Sequence, residues 1–294
     1  MTIKAEMLKT AEKAKGVLGD SFNLVIDFVK SRQNPDGGFR GRSAESDLYY
    51  SVFANNILNA CGVAAGNSMT AFVESQKNNT NADFIHLCSY INLCSALILP
   101  DKLSHSEIST LKGLLESFRS ADGGYSVHKN SAHGSVYACF LAFSAYENLN
   151  SEPPDREKIL DCLKNLETPD GGYSNEPNQT HGTTTTTAAA IVLLKKFNHN
   201  SLEKPIDWLM KRYHKGGGFI ATPSTAIPDL LSTATSLFAL KSASFELSSI
   251  NDSCMDFLDS LWDGNGAFRG HWFDEDVDVE YTFYGLLSIG CLAV

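Results

Sequence analysis

The sequence predicts an all-α fold, an (α/α)6 toroid of six inner and six outer helices. Three observations carry this. First, an Asp-Gly-Gly-aromatic tetrad recurs. Asp36-Gly37-Gly38-Phe39, Asp122-Gly123-Gly124-Tyr125 and Asp170-Gly171-Gly172-Tyr173 are clean copies, Gly216-Gly217-Gly218-Phe219 is a variant, and Asp263-Gly264-Asn265-Gly266-Ala267-Phe268 is a looser one. Second, each copy follows an amphipathic segment and precedes a small-residue apolar one, so two kinds of helix alternate in about six pairs. Third, the apolar segments are hydrophobic nearly all round, and such a helix has to be buried. One kind therefore lies inside the other, and closing six pairs into a ring removes the ends that an open solenoid must cap.

Each element has a local reason. Paired glycines supply the positive φ that stops the upstream helix. The preceding Asp bonds its own backbone, and the aromatic pins the loop onto apolar surface. Residues 5–18 and 23–30 read as amphipathic helices from their three- and four-residue apolar spacing. Outer helices are then expected at 71–77 (a degenerate copy without glycines), 104–119, 155–166, 202–212 and 250–261. The inner set is expected at 48–61, 84–99, 134–148, 184–197, 230–242 and 279–293. Their starts, near Asp47, Asp83, His133, His181, Asp229 and Asp278, should gather at one mouth of a central cavity.

Composition narrows the rest. No Pro/Ser-rich linker or charge block divides the 294 residues, which favours a single toroid domain over 1–294. A formal charge of −10 and a pI near 5.2 argue against nucleic acid or an anionic membrane as main partner. Seven cysteines without a CxxC pair read as reduced, buried thiols of a cytoplasmic protein. Residues 1–20 lack the apolar core of a signal peptide. No run reaches the ~18 apolar residues of a membrane span, so the chain is not expected to be an integral membrane protein.

Gln33-Asn34-Pro35-Asp36-Gly37-Gly38-Phe39, with Asp47 downstream, resembles the repeat of protein prenyltransferase β subunits. Squalene-hopene cyclases and class II diterpene cyclases share that repeat. Pro228-Asp229-Leu230-Leu231-Ser232 and Asp278-Val279-Glu280-Tyr281-Thr282 resemble the family's two chemistry-bearing segments. The resemblance covers nearly the whole chain and implies an apolar cavity holding an isoprenoid-like small molecule. Prenyltransferases bind zinc through an Asp, a Cys two residues later and a distant His. Here the matching positions are Asp229, Leu231 and Tyr281, so the set is incomplete and neither zinc nor another cofactor is expected. The family's diphosphate-binding cations are also missing from residues 220–226. Class II cyclases protonate an alkene with the middle acid of Asp-x-Asp-Asp. Asp276-Val277-Asp278-Val279 matches at the first and third positions, with Asp278 in the donor's place and Glu280 just beyond.

The candidate catalytic residues are therefore Asp276, Asp278 and Glu280. Crowded acids raise one another's pKa and can leave one protonated; the plainer reading makes them helix caps and dipole partners. Candidate substrate-binding residues are Asp47, Tyr50, Phe53, His133, Tyr137, His181, Asp229, Tyr281 and Tyr284. The histidines equally suit turn packing, and His86 suits a structural pair with Asp83. The threonines 183–187 suit either capping or cavity lining. The function expected is acid-assisted carbocation cyclisation or isomerisation of an isoprenoid. Two alternatives stand: a zinc-lacking β-like subunit for prenyl transfer, and a non-catalytic isoprenoid- or lipid-binding module. A homodimer would supply a second wall to a cyclase site, and a helical partner subunit would suit the non-catalytic module.

Overall fold

The computed structural model describes residues 1–77, 82–97, 103–199 and 201–293. Two short helices, α1 (Ile3–Glu12) and α2 (Ala14–Leu18), precede the repeats. Outer and inner helices then alternate: α3 (Phe22–Ser31), α4 (Leu48–Ala60), α5 (Gly66–Ser75), α6 (Phe84–Leu97), α7 (His105–Glu116), α8 (Val136–Asn148), α9 (Arg156–Asn165) and α10 (Thr184–Lys196). The last pairs are α11 (Glu203–Met210) with α12 (Leu230–Ser242), and α13 (Asn251–Leu261) with α14 (Val279–Leu292). Each even-numbered helix from α4 to α14 packs on the next, and α14 packs back on α4. The inner ring is closed. The buried apolar side chains form one cluster running from Ile3 to Leu292.

The glycine turns bind one repeat to the next. In each clean copy the Asp carboxylate accepts a hydrogen bond from the second glycine's N–H, as in Gly38 to Asp36 (3.0 Å) and Gly172 to Asp170 (3.2 Å). The aromatic is buried, and its N–H donates to a side chain on the inner helix that follows. Phe39 reaches Ser51, Tyr173 reaches Thr187 and Phe219 reaches Thr233, each at 2.9 Å. Gly266 (φ 106°) explains why the turn needs a residue without a side chain: a Cβ there would lie 2.1 Å from the Leu24 carbonyl oxygen. Leu24 belongs to α3, so this last turn closes the outer ring onto the first outer helix.

Several boundaries differ from expectation. The expected helix 5–18 breaks at Lys13 into α1 and α2. α5 begins at Gly66, ahead of residue 71. The expected end of α6 at Leu99 lies outside the described residues. α8 and α10 begin after Ser135 and Thr183, two residues beyond His133 and His181. The cause is the turn carboxylate: Asp122 and Asp170 accept the Gly134 and Gly182 N–H groups, which holds those residues in the loop. A two-residue ladder, Phe219–Ile220 with Pro228–Asp229, precedes α12 and was not foreseen. α1 lies across the C-terminal ends of the inner helices, opposite the mouth. Its Ile3 N–H donates to Glu147 at the end of α8, and Lys4 Nζ to the Asn92 carbonyl of α6.

Candidate functional site in the central cavity

The inner helices enclose an apolar cavity of about 250 Å³. Its walls come from helical spacing. α14 contributes Glu280, Tyr284 and Leu287; α12 contributes Leu231, Thr235 and Phe238. α10 gives Thr185, Ala188, Ala189 and Val192, and α8 gives Tyr137 and Phe140. Steps of three and four residues keep these side chains on one face of each helix. Tyr49 completes the wall from α4 and Met7 the floor from α1. Tyr49 and Tyr137 also border a smaller annex of about 100 Å³, which Phe53 lines as well.

Glu280 is the one acid in the lining among the described residues. Burial pushes its carboxyl up to about 7; the Asp278 charge adds to this, while the Tyr49 hydrogen bond and Arg42 work against it. The Tyr49 hydroxyl donates to Glu280 Oε1 at 2.6 Å. Burial likewise raises the phenol of Tyr137 to about 12, and those of Tyr49 and Tyr284 further. The cavity thus presents neutral phenols and aromatic faces beside a carboxyl that titrates near neutrality.

The other candidate acids lie elsewhere. Both Asp278 oxygens are committed: Oδ1 accepts the Tyr281 N–H and Oδ2 accepts Arg42 Nε, each at 2.9 Å. Arg42 also pairs with Asp274 at 2.6 Å. Asp276 is 76% exposed and 3.9 Å from the same guanidinium, outside the cavity. Asp47 caps α4 and pairs with His86, which bridges it (3.0 Å) to Asp83 (2.9 Å). Burial alone would lower the His86 pKa, but the two aspartates outweigh it and raise it. His133 and His181 are 61% and 68% exposed and face the turn aspartates Asp122 and Asp170, not the lining. Asp229 caps α12 through the Ser232 N–H, and burial raises its pKa. Tyr50 lies against Gly41, and the Tyr281 ring sits beneath Arg42. Trp272 anchors its loop by donating to Ser260, whereas Phe273 is 77% exposed. Of the threonines, Thr185 lines the cavity, while Thr184 and Thr187 tie loops to α10.

The inner and outer helices form a closed ring, and the comparisons with known proteins agree on that fold. The family described as the prenyltransferase alpha-alpha toroid domain matches residues 7–219 and 189–293. The chain belongs to this family. As a prenyltransferase-type toroid it is similar to the protein farnesyltransferase subunit beta of Pisum sativum, with 23% identity over 198 residues. That match takes in 66% of this chain but 39% of the pea protein. Its toroid also superposes on the type II terpene cyclase MstE from Scytonema with a TM-score of 0.64, at 15% identity over 94% of this chain and 97% of that one. The GH76A alpha-1,6-mannanase from Salegentibacter sp. gives 0.63, at 13% identity over 94% and 98%. Terpene and carbohydrate enzymes thus share the architecture, so the fold by itself assigns no activity.

The zinc set of prenyltransferases does not fit this family member. Asp229 is turned to its own helix, the Leu231 side chain is part of the cavity wall, and burial pushes the Tyr281 phenol up to about 12. Among the described residues no group of three His, Cys, Asp or Glu side chains could hold a metal ion. No helix among them is long and apolar enough to cross a membrane. All seven cysteines are free and buried. Sequence reasoning missed Tyr49, Arg42 and Met7. Nothing local marks Arg42, which finds its partners more than 230 positions away.

Proposed function

We propose that the chain is an isoprenoid-active enzyme that protonates an apolar polyene, with Glu280 as the general acid and no metal. The observation that carries this reading is a carboxyl raised to near-neutral pKa in the wall of an otherwise apolar cavity. A general acid works best when its pKa lies near the working pH. Tyr49 fixes the carboxyl through Oε1, leaving Oε2 without a protein partner among the described residues. The Glu280 proton passes to one carbon of a C=C bond, whose π pair forms the new C–H bond. The adjacent carbon becomes cationic and is attacked by the next alkene or loses a proton. Tyr137, Tyr284, Phe140 and Phe238 offer the π faces that stabilise such a cation. Among the described residues the lining holds no Lys or Arg, so ionisation of a diphosphate has no support there. Asp278 suits a different role, since its ion pair with Arg42 locks the helix that carries Glu280.

Incubation with prenyl alcohols in D2O tests this. Deuterium on carbon in a cyclised or isomerised product, lost in Glu280→Gln, supports it. Retention of an unchanged prenyl alcohol by both proteins would give the site to a binding module.

A further inference from the structure

The floor of the cavity does not come from the repeats. It comes from α1, whose apolar face of Ile3, Met7 and Ala11 at four-residue spacing points into the base of the ring; Ile3 and Ala11 are buried and Met7 lines the cavity. α1 is held where it lies. Lys4 Nζ donates to the Asn92 carbonyl (2.8 Å) and Ser95 Oγ (3.3 Å) at the end of α6. Lys196, at the end of α10, donates to the Met1 carbonyl (2.6 Å) and to Glu6 (2.8 Å). The Glu147 carboxyl accepts the Ile3 N–H (2.8 Å), where the helix dipole favours an acid. Along α14, backbone meets backbone: a Cβ at Gly290 would lie 1.8 Å from the Thr10 carbonyl oxygen. With four inner helices gripping it, α1 cannot slide, and the height of Met7 is fixed.

We propose that Met7 is the gauge of this cavity and limits the apolar chain it accepts to about ten carbons. The proposal rests on the reading of the cavity as a site for an apolar chain. Its size follows from volume: a dry cavity of about 150 Å³ takes benzene, so about 250 Å³ scales to roughly ten carbons. Its depth follows from α14, where Glu280 and Leu287 stand seven residues apart, about 10 Å along the axis. Beneath Leu287 the chain end meets Met7. A thioether there fills the irregular gap between converging helices, and its length sets the stop.

The experiment measures binding of a series of linear alcohols from octanol to pentadecanol by calorimetry, alongside geraniol and farnesol. Wild type should bind best near ten carbons. Met7→Ala should move the optimum two or three carbons longer and tighten dodecanol about tenfold, Met7→Phe should move it shorter, and Met7→Leu should leave it in place. An optimum that stays put in both Met7→Ala and Met7→Phe overturns the proposal while leaving the isoprenoid reading intact. The expected shift with linear alcohols, but no preference for geraniol over decanol, upholds the gauge and counts against the isoprenoid reading. Absence of binding by any alcohol to the folded protein overturns both.

Discussion

Tyr49 and Glu280 meet where the ring closes, 231 positions apart in sequence, the phenol donating to the carboxyl at 2.6 Å. One comes from the first inner helix and the other from the last, so this contact exists only in the closed toroid. Its consequence is electrostatic. Glu280 sits near 4.5 in an unfolded chain and is pushed up to about 7 here, chiefly by burial. Between those values the folded protein holds a proton that the unfolded chain releases, so stability falls as pH rises through the window. Glu280→Gln removes the penalty. Its melting temperature should match wild type near pH 4 and exceed it at pH 8; equal melting curves at both would place Glu280 in ordinary solvent.

Arg42 and Asp278 bridge the same seam on the outside. Asp278 is 2% exposed, and its buried carboxylate meets the guanidinium at 2.9 Å. Arg42→Met should cost about 2 kcal/mol in denaturant unfolding, the loss expected for a charge-assisted hydrogen bond. Adding Asp278→Asn should recover part of that loss, since Asn still caps α14. Full additivity of the two substitutions would show that the pair is not coupled.

The repeat architecture was legible because it is local. Glycine turns, caps such as Asp47 and Asp229, and apolar inner segments each follow from a few adjacent residues. The site was less legible for a physical reason. A helix that is apolar all round gives no phase, so neighbouring Tyr49 and Tyr50 look alike in sequence; one faces Glu280 and the other Gly41. Asp278 and Glu280 pose the same ambiguity among clustered acids. Arg42 resolved it, and no pattern within a few residues of Arg42 announces a partner in the last repeat. Met7 escaped because the floor belongs to no repeat.

The metal-free reading has its own test. Leu231 and Tyr281 replace the family's soft ligands, and Asp229 gives its Oδ1 to the α12 cap. Metal analysis of the purified protein should find no stoichiometric zinc, and Asp229→Asn should leave metal content and α12 unchanged. Zinc at one equivalent, lost in that variant, would favour prenyl transfer over the acid-initiated reaction.

Two glycine-to-alanine changes separate the effect of the floor from that of helix propensity. Gly16 lies in α2, and a methyl group added there would meet nothing within 4 Å among the described residues, so Gly16→Ala should stabilise by about 0.5–1 kcal/mol through propensity alone. Gly290 also lies in a helix, so propensity predicts the same gain for Gly290→Ala. There, however, the methyl group would drive into the Thr10 carbonyl of α1, a backbone atom with no rotamer to escape into. Overpacking of this kind costs about 1–3 kcal/mol, and α1 must lift to relieve it. Gly290→Ala should therefore destabilise, and it should speed amide exchange in α1 while leaving α4 to α12 protected. If both variants gain stability alike, α1 does not rest on α14 in solution, and the closed floor beneath the cavity is lost with it.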